Sequence, residues 1–195
     1  MIRIGILGDI GAGKSYVAKN FGYPVFNADH EVAKLYQKNK KIFNKLKKSL
    51  PKYIYSFPVD KKEISRAILA NKNNLSKIIK IIHLEIKKKM YVFLKKHKKK
   101  KIVILDIPLL LENKINNKKD ILIYVESKKP GILKKLKKRK NFNQKLLKKF
   151  KSIQLPNSYK KKKSLFIIKN DFTKKSVRRG INNILKKLYK WKKWY

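Results

Sequence analysis

The chain of 195 residues contains no cysteine. Disulfides and thiolate metal sites are excluded, and a reducing compartment, the cytoplasm, is the expected location. Acidic residues are scarce: 11 Asp and Glu stand against 55 Lys and Arg, a formal charge of +44. Arginine is scarce within that surplus, confined to Arg3, Arg66, Arg139, Arg178 and Arg179. A nucleic-acid binder clusters its charge and favours the guanidinium fork for phosphates and base edges. Here lysine is spread over nearly every segment. The surplus reads as compositional drift with no specific nucleic acid as partner, although it draws anionic ligands in general. Apolar runs are short. None approaches the roughly 20 residues of a membrane-spanning helix, so no membrane partner is expected. No signal peptide is expected either, because the first residues read as a strand entering a loop.

A hydrophobic fraction of 43% argues against disorder. The length suits one compact domain with room for inserted lobes. A monomer is the default expectation, with an oligomer left open. Residues 2–7, IRIGIL, read as a buried strand, followed by a Gly-rich loop and a helix from Lys14 to about Phe21. Val25-Phe26 reads as a second strand. Residues 30–50 read as helical, 51–58 as irregular, 61–70 as a short helix and 74–95 as a long one. The long helix rests on Leu75, Ile78, Ile79, Ile82, Ile86, Met90 and Phe93 recurring at helical steps. IVILD at 102–106 and ILIYV at 121–125 read as strands, 131–151 as helical, 165–168 as a last strand and 174–190 as a closing amphipathic helix. This alternation predicts an α/β fold with a parallel sheet and helices on both faces.

The chemistry begins at GDIGAGKSY, Gly8 to Tyr16, which matches G-x-x-x-x-G-K-[ST] between a strand and a helix. Gly8, Gly11 and Gly13 allow backbone torsions that expose successive N–H groups to phosphate oxygens. Lys14 is expected to reach the β- and γ-phosphates, and Ser15 to ligate Mg²⁺. Asp9 is an aspartate in an anion-holding loop. Its own N–H can still serve, with the side chain turned away from the phosphates towards a lysine. Asp106 closes an apolar strand and either orders Mg²⁺, caps the strand end or pairs with a lysine.

Several pieces taken together resemble the dephospho-coenzyme A kinase family: GDIGAGKSYVAKNFG at 8–22, VFNADHEVAKL at 25–35, the histidine of IIHLEI at 81–86, DIPLLLEN at 106–113 and IIKND at 167–171. Their order and spacing agree along almost the entire chain. The resemblance implies a phosphate-loop kinase with a five-stranded parallel sheet, moving the γ-phosphoryl group of ATP to the 3′-hydroxyl of the dephospho-coenzyme A ribose. It implies one kinase domain in three parts: a nucleotide core at 1–29, 101–128 and 152–195, a helical substrate lobe at about 30–100, and a lid at about 129–151. ATP lies on Gly8, Asp9, Ile10, Gly11, Ala12, Gly13, Lys14, Ser15 and Tyr16, with Asn170 near the adenine. Asp29 matches the family's catalytic aspartate. Its residue-level alternative is an N-cap for a helix starting at His30 or Glu31, and the two roles can coexist. His83 matches the histidine of a His-Pro pair, although Leu84 replaces the proline; on its own it reads as a core or boundary histidine. Pro108, Leu109 and Glu112 belong to the acceptor side, Glu112 orienting the acceptor or a basic neighbour, or standing as a solvated carboxylate. Arg139 forks onto ATP phosphate oxygens from the lid. Lys135, Asn157 and Lys160 stand where relatives carry arginine, and Tyr16 where they carry threonine. Two alternatives remain at this point: another nucleoside or nucleotide kinase, and a nucleic-acid-binding NTPase.

Overall fold

A computed structural model describes residues 1–139 and 142–191, with two compact units. The first comprises Met1–Phe26, His97–Phe142 and Leu155–Tyr195, and the second Asn27–Lys96 and Asn143–Gln154.

In the first unit, branched apolar residues build a sheet. β1 (Ile2–Gly8) is its middle strand, flanked by β3 (Ile102–Asp106) and β4 (Ile121–Glu126), with β2 (Val25–Asn27) outside β3 and β5 (Phe166–Lys169) outside β4. The five strands form a parallel sheet, with Ile4 opposite both Ile104 and Ile121. β3 is buried at every position, so both faces of the sheet centre are covered. α1 (Lys14–Asn20) packs on β3 and on α9 (Lys174–Trp191), which also covers β5; α8 (Asn157–Lys163) lies against β1 and β4. α6 (Lys129–Lys137) follows β4 and buries Ile132 and Leu136. Each buried Ile or Leu contributes about 1.5–3 kcal/mol relative to exposure.

Gly5 marks the tightest packing in the sheet. A Cβ there would stand 2.6 Å from Leu110 Cδ2 and 2.9 Å from Leu122 Cδ2. Both leucines are buried, so neither can swing into solvent. Gly5→Ala is expected to lose about 1–3 kcal/mol by overpacking, read as a lower urea midpoint with an unchanged slope. An unchanged midpoint would mean that the leucines yield freely.

The second unit is helical. α5 (Lys72–Lys96) presents Leu75, Ile78, Ile82, Ile86 and Met90 as one buried stripe. Against it pack α2 (Ala28–Lys38), α3 (Lys40–Ser49) and α4 (Lys61–Ala70), while α7 (Gln144–Ser152) packs on α4. Glu63, buried on α4, accepts from the Tyr55 backbone N–H at 3.1 Å and the Ser56 hydroxyl at 2.6 Å, fastening the irregular stretch before the helix.

The element boundaries correct three sequence readings. The single helix expected over 30–50 is two helices, because Asn39 leaves helical torsions and its side chain accepts the Ile42 N–H at 3.0 Å, capping a new start. The helix expected over 131–151 is also two, α6 in the first unit and α7 in the second, with Asn143 capping α7. α8 was not expected as a helix at all.

Candidate active site

Gly13 has φ of +88°, a left-handed torsion that only glycine adopts without strain, and α1 starts at the next residue. The loop before it wraps around the side chain of Lys14, whose ammonium donates to the carbonyls of Gly8 at 3.1 Å and Asp9 at 2.9 Å. A fixed positive charge therefore sits at the loop. Ser15 and Tyr16 are exposed on the first turn of α1. Asp9 Oδ1 accepts the Ile10 backbone N–H at 2.7 Å, a local partner that the sequence reading did not anticipate. Burial, then the charges of Asp9 and Glu126, hold the Tyr124 phenol above its ordinary range. Ile132 and Leu136 of α6 lie against Gly11.

Asp106 ends β3 with 3% of its surface exposed, on the strand beside β1. The chain then turns through Pro108 and Leu109, and Leu109 takes the uncommon left-handed torsion of φ 58°. Leu110 is driven in against Gly5 and pins the turn to the sheet. Glu112 leaves that turn towards α8. Its Oε1 accepts the Leu155 N–H at 3.0 Å and lies 3.7 Å from Lys160 Nζ. The Glu112 and Lys160 side chains are 10% and 4% exposed, so this is a buried ion pair. Of the roles open to Glu112, the structure displays the one that binds a basic neighbour.

On the other side of the loop runs an open groove of about 710 Å³ lined by Ser127, Pro130, Gly131, Asn170, Phe172 and Arg179 among others. Ser127 and Asn170 also reach the loop, both donating to the Ala12 carbonyl, at 3.1 Å and 2.8 Å. The groove thus continues the phosphate loop and offers an aromatic ring and a guanidinium to a flat ligand. Beside it, hydrogen bonds from Ser176 and Thr173 hold the Asp171 carboxyl down at about 2. Sequence reasoning found Asn170 but missed Ser127, Phe172 and Arg179. For Ser127 and Phe172 the available signal was their place just after β4 and β5, where open α/β sheets bind ligands, whereas Arg179 lies within α9 and had no such signal. Arg139 is exposed, in the turn that follows α6.

In the second unit, Asn27 caps α2 by accepting the His30 N–H at 2.8 Å. Asp29 lies inside the first turn and is exposed, so the cap considered for it belongs to Asn27, and the helix begins at Ala28. His83 sits mid-way along α5 with Nε2 buried and without a hydrogen-bond partner among the described residues. The first unit thus gathers Gly8 to Tyr16, Asp106, Pro108, Leu109, Glu112, Arg139 and Asn170, while Asp29 and His83 belong to the second.

Known proteins resemble this chain over almost its whole length. The model of the dephospho-CoA kinase family matches residues 2–176. A dephospho-CoA kinase from Wolbachia sp. subsp. Brugia malayi is 31% identical over 190 residues, 95% of this chain and 97% of the relative. Among solved structures, a protein from Thermus thermophilus superposes with a TM-score of 0.73 at 22% identity, covering 96% of this chain and 97% of its own. Dephospho-CoA kinase from Campylobacter jejuni gives a TM-score of 0.59, also at 22% identity, covering 95% and 96%. No helix among the described residues is long and apolar enough to cross a membrane.

Proposed function

The chain belongs to the dephospho-CoA kinase family, and on that premise we propose that it transfers the γ-phosphoryl group of ATP to the ribose 3′-hydroxyl of dephospho-CoA. The products are CoA and ADP, which makes this the last step of CoA biosynthesis. The bond from the γ-phosphorus to the bridging oxygen breaks, the bond to the 3′-oxygen forms, and the hydroxyl proton leaves to a carboxylate. The observation that carries the reading is the phosphate loop with Lys14 held at its carbonyls, one strand away from a buried carboxylate at Asp106.

Such a transfer requires little covalent chemistry and a great deal of positioning and charge stabilisation. The loop N–H groups from Gly11 to Ser15 hold the β- and γ-phosphates, and Lys14 moves from the loop carbonyls to phosphate oxygens. The groove beside Asn170 takes the adenine between Phe172 and Arg179. Arg139 offers its fork to the transferred group. Asp29 orients the 3′-hydroxyl and accepts its proton late in the transfer. His83, Pro108 and Leu109 contact dephospho-CoA, and Glu112 holds the chain after Leu109 through Leu155 and Lys160.

A hydroxyl and a single carboxylate fit Mg²⁺, which takes oxygen donors, keeps several waters and uses one or two carboxylates with substrate phosphates. Ser15 and Asp106 are the residues that would hold it. When bound, the ion would supply neutralisation of charge on the β- and γ-phosphate oxygens. The cytoplasm supplies both substrates, and a monomer suffices for the reaction.

The test is ADP release measured with ATP, Mg²⁺ and a panel of acceptors. Turnover is expected with dephospho-CoA and little with nucleoside monophosphates. ATPase activity stimulated by nucleic acid, with none on dephospho-CoA, would reject the reading.

A further inference from the structure

We propose that Asn170 is a positioning residue of the phosphate loop, whose side chain aims the Gly13 N–H at the bound phosphate by holding the Ala12 carbonyl from behind. The inference rests on the reading of residues 8–15 as the ATP loop. It gives Asn170 a side-chain task at the phosphates in place of a backbone contact to adenine.

The geometry begins with the peptide between Ala12 and Gly13. A trans peptide is planar, so its C=O and N–H point in opposite directions. Whatever fixes the Ala12 carbonyl also fixes the Gly13 N–H. Asn170 Nδ2 donates to that carbonyl at 2.8 Å, and the Ser127 hydroxyl donates at 3.1 Å. Two donors on one carbonyl leave the opposite N–H facing away from Asn170, on the loop's inner side.

The clamp matters because this peptide is easily turned. Gly13 sits at φ +88°, and glycine exchanges left-handed for right-handed torsions at little cost. A flip would replace the inward N–H by an inward carbonyl oxygen, which repels phosphate. Asn170 also packs on the glycine itself. A Cβ on Gly13 would stand 2.5 Å from Asn170 Nδ2, so the amide lies directly on the glycine.

Asn170 is itself held rigidly. Its backbone N–H donates to Glu126 at 2.8 Å, and its Oδ1 accepts the Phe172 N–H at 2.9 Å. The residue is 3% exposed, and the Oδ1 bond assigns the amide orientation, with Nδ2 towards the loop. The end of β5 is therefore tied to the end of β1's loop by a side chain that is locked at both ends.

The experiment compares wild type with Asn170→Ala, Asn170→Asp and Ser127→Ala. A non-hydrolysable ATP analogue is titrated by calorimetry, and KM is determined for each substrate. A lost hydrogen bond to a buried carbonyl weakens binding roughly tenfold, so Asn170→Ala is expected to raise the analogue Kd and the ATP KM by about that factor. The KM for dephospho-CoA stays within about twofold, as a loop-specific effect demands. Asn170→Asp keeps the shape but sets an oxygen against the Ala12 oxygen, and its loss exceeds that of Asn170→Ala. Ser127→Ala removes the second donor with little risk to folding and weakens the analogue about threefold. Wild-type analogue affinity in Ser127→Ala together with either Asn170 variant overturns the inference, and so does equal weakening of both substrates. Should the Asn170 variants fail to accumulate, Ser127→Ala decides alone. A wild-type protein that binds no analogue defeats the ATP reading itself, a result distinct from variants that bind as well as wild type.

Discussion

Asp29→Asn is expected to lower kcat by roughly 10²–10⁴ while leaving the ATP dissociation constant within about twofold, measured by ADP release and nucleotide titration. An amide has the shape of the carboxylate but cannot accept the hydroxyl proton. The substitution leaves the cap of α2 in place, because that cap is Asn27. Asn27 accepts the His30 N–H, so α2 keeps its N-terminal bond when Asp29 changes. What the helix loses is one negative charge in its first turn, about 0.3–1 kcal/mol at an exposed position. The N-terminal cap of α2 therefore survives the substitution. Normal turnover in this variant would remove Asp29 from the mechanism, and an equal loss of ATP affinity would assign it to nucleotide binding.

Lys160→Met is expected to be among the most destabilising single changes in the first unit, with a loss of about 3–5 kcal/mol in urea unfolding. The reason lies in what remains. Glu112 is 10% exposed and would be left with no cation at 3.7 Å. Removing both charges is milder. Lys160→Met combined with Glu112→Gln should recover most of the loss, because glutamine still accepts the Leu155 N–H that Glu112 accepts now. A single variant as stable as wild type would show that water already screens the pair. A double variant no better than the single would show that Lys160 acts through its packing alone.

Much of the nucleotide half of the molecule was legible from local chemistry. β1, β3 and β4 are short apolar runs rich in branched residues, and burial on both faces demands that pattern. The phosphate loop announced itself because its function constrains residue types at fixed spacing. The unexpected breaks come from side chains that compete with the helix. One helix was read over 30–50, yet within the polar run QKNKK at 37–41 the Asn39 side chain accepts the Ile42 N–H and starts a second helix. α8 was hidden by composition. In a chain with this many lysines, nothing local distinguishes Lys160, which is buried, from Lys161, which pairs with Glu126 on the surface. The tie between Asn170 and Ala12 was equally invisible, since it joins residues at opposite ends of the sequence that only the sheet order brings together.

That sheet order has a consequence for how the chain is made. β1 leaves the ribosome before its neighbours but sits in the middle of the sheet, and those neighbours, β3 and β4, begin only at Ile102 and Ile121. Until β3 has been translated, an apolar strand waits with both hydrogen-bonding edges open. The loop behind it waits longer still, until residue 170 has emerged. A chain arrested before that point carries the complete phosphate-loop motif yet lacks the side chain that would set it, so a truncated nascent product is a poor competitor for cellular ATP.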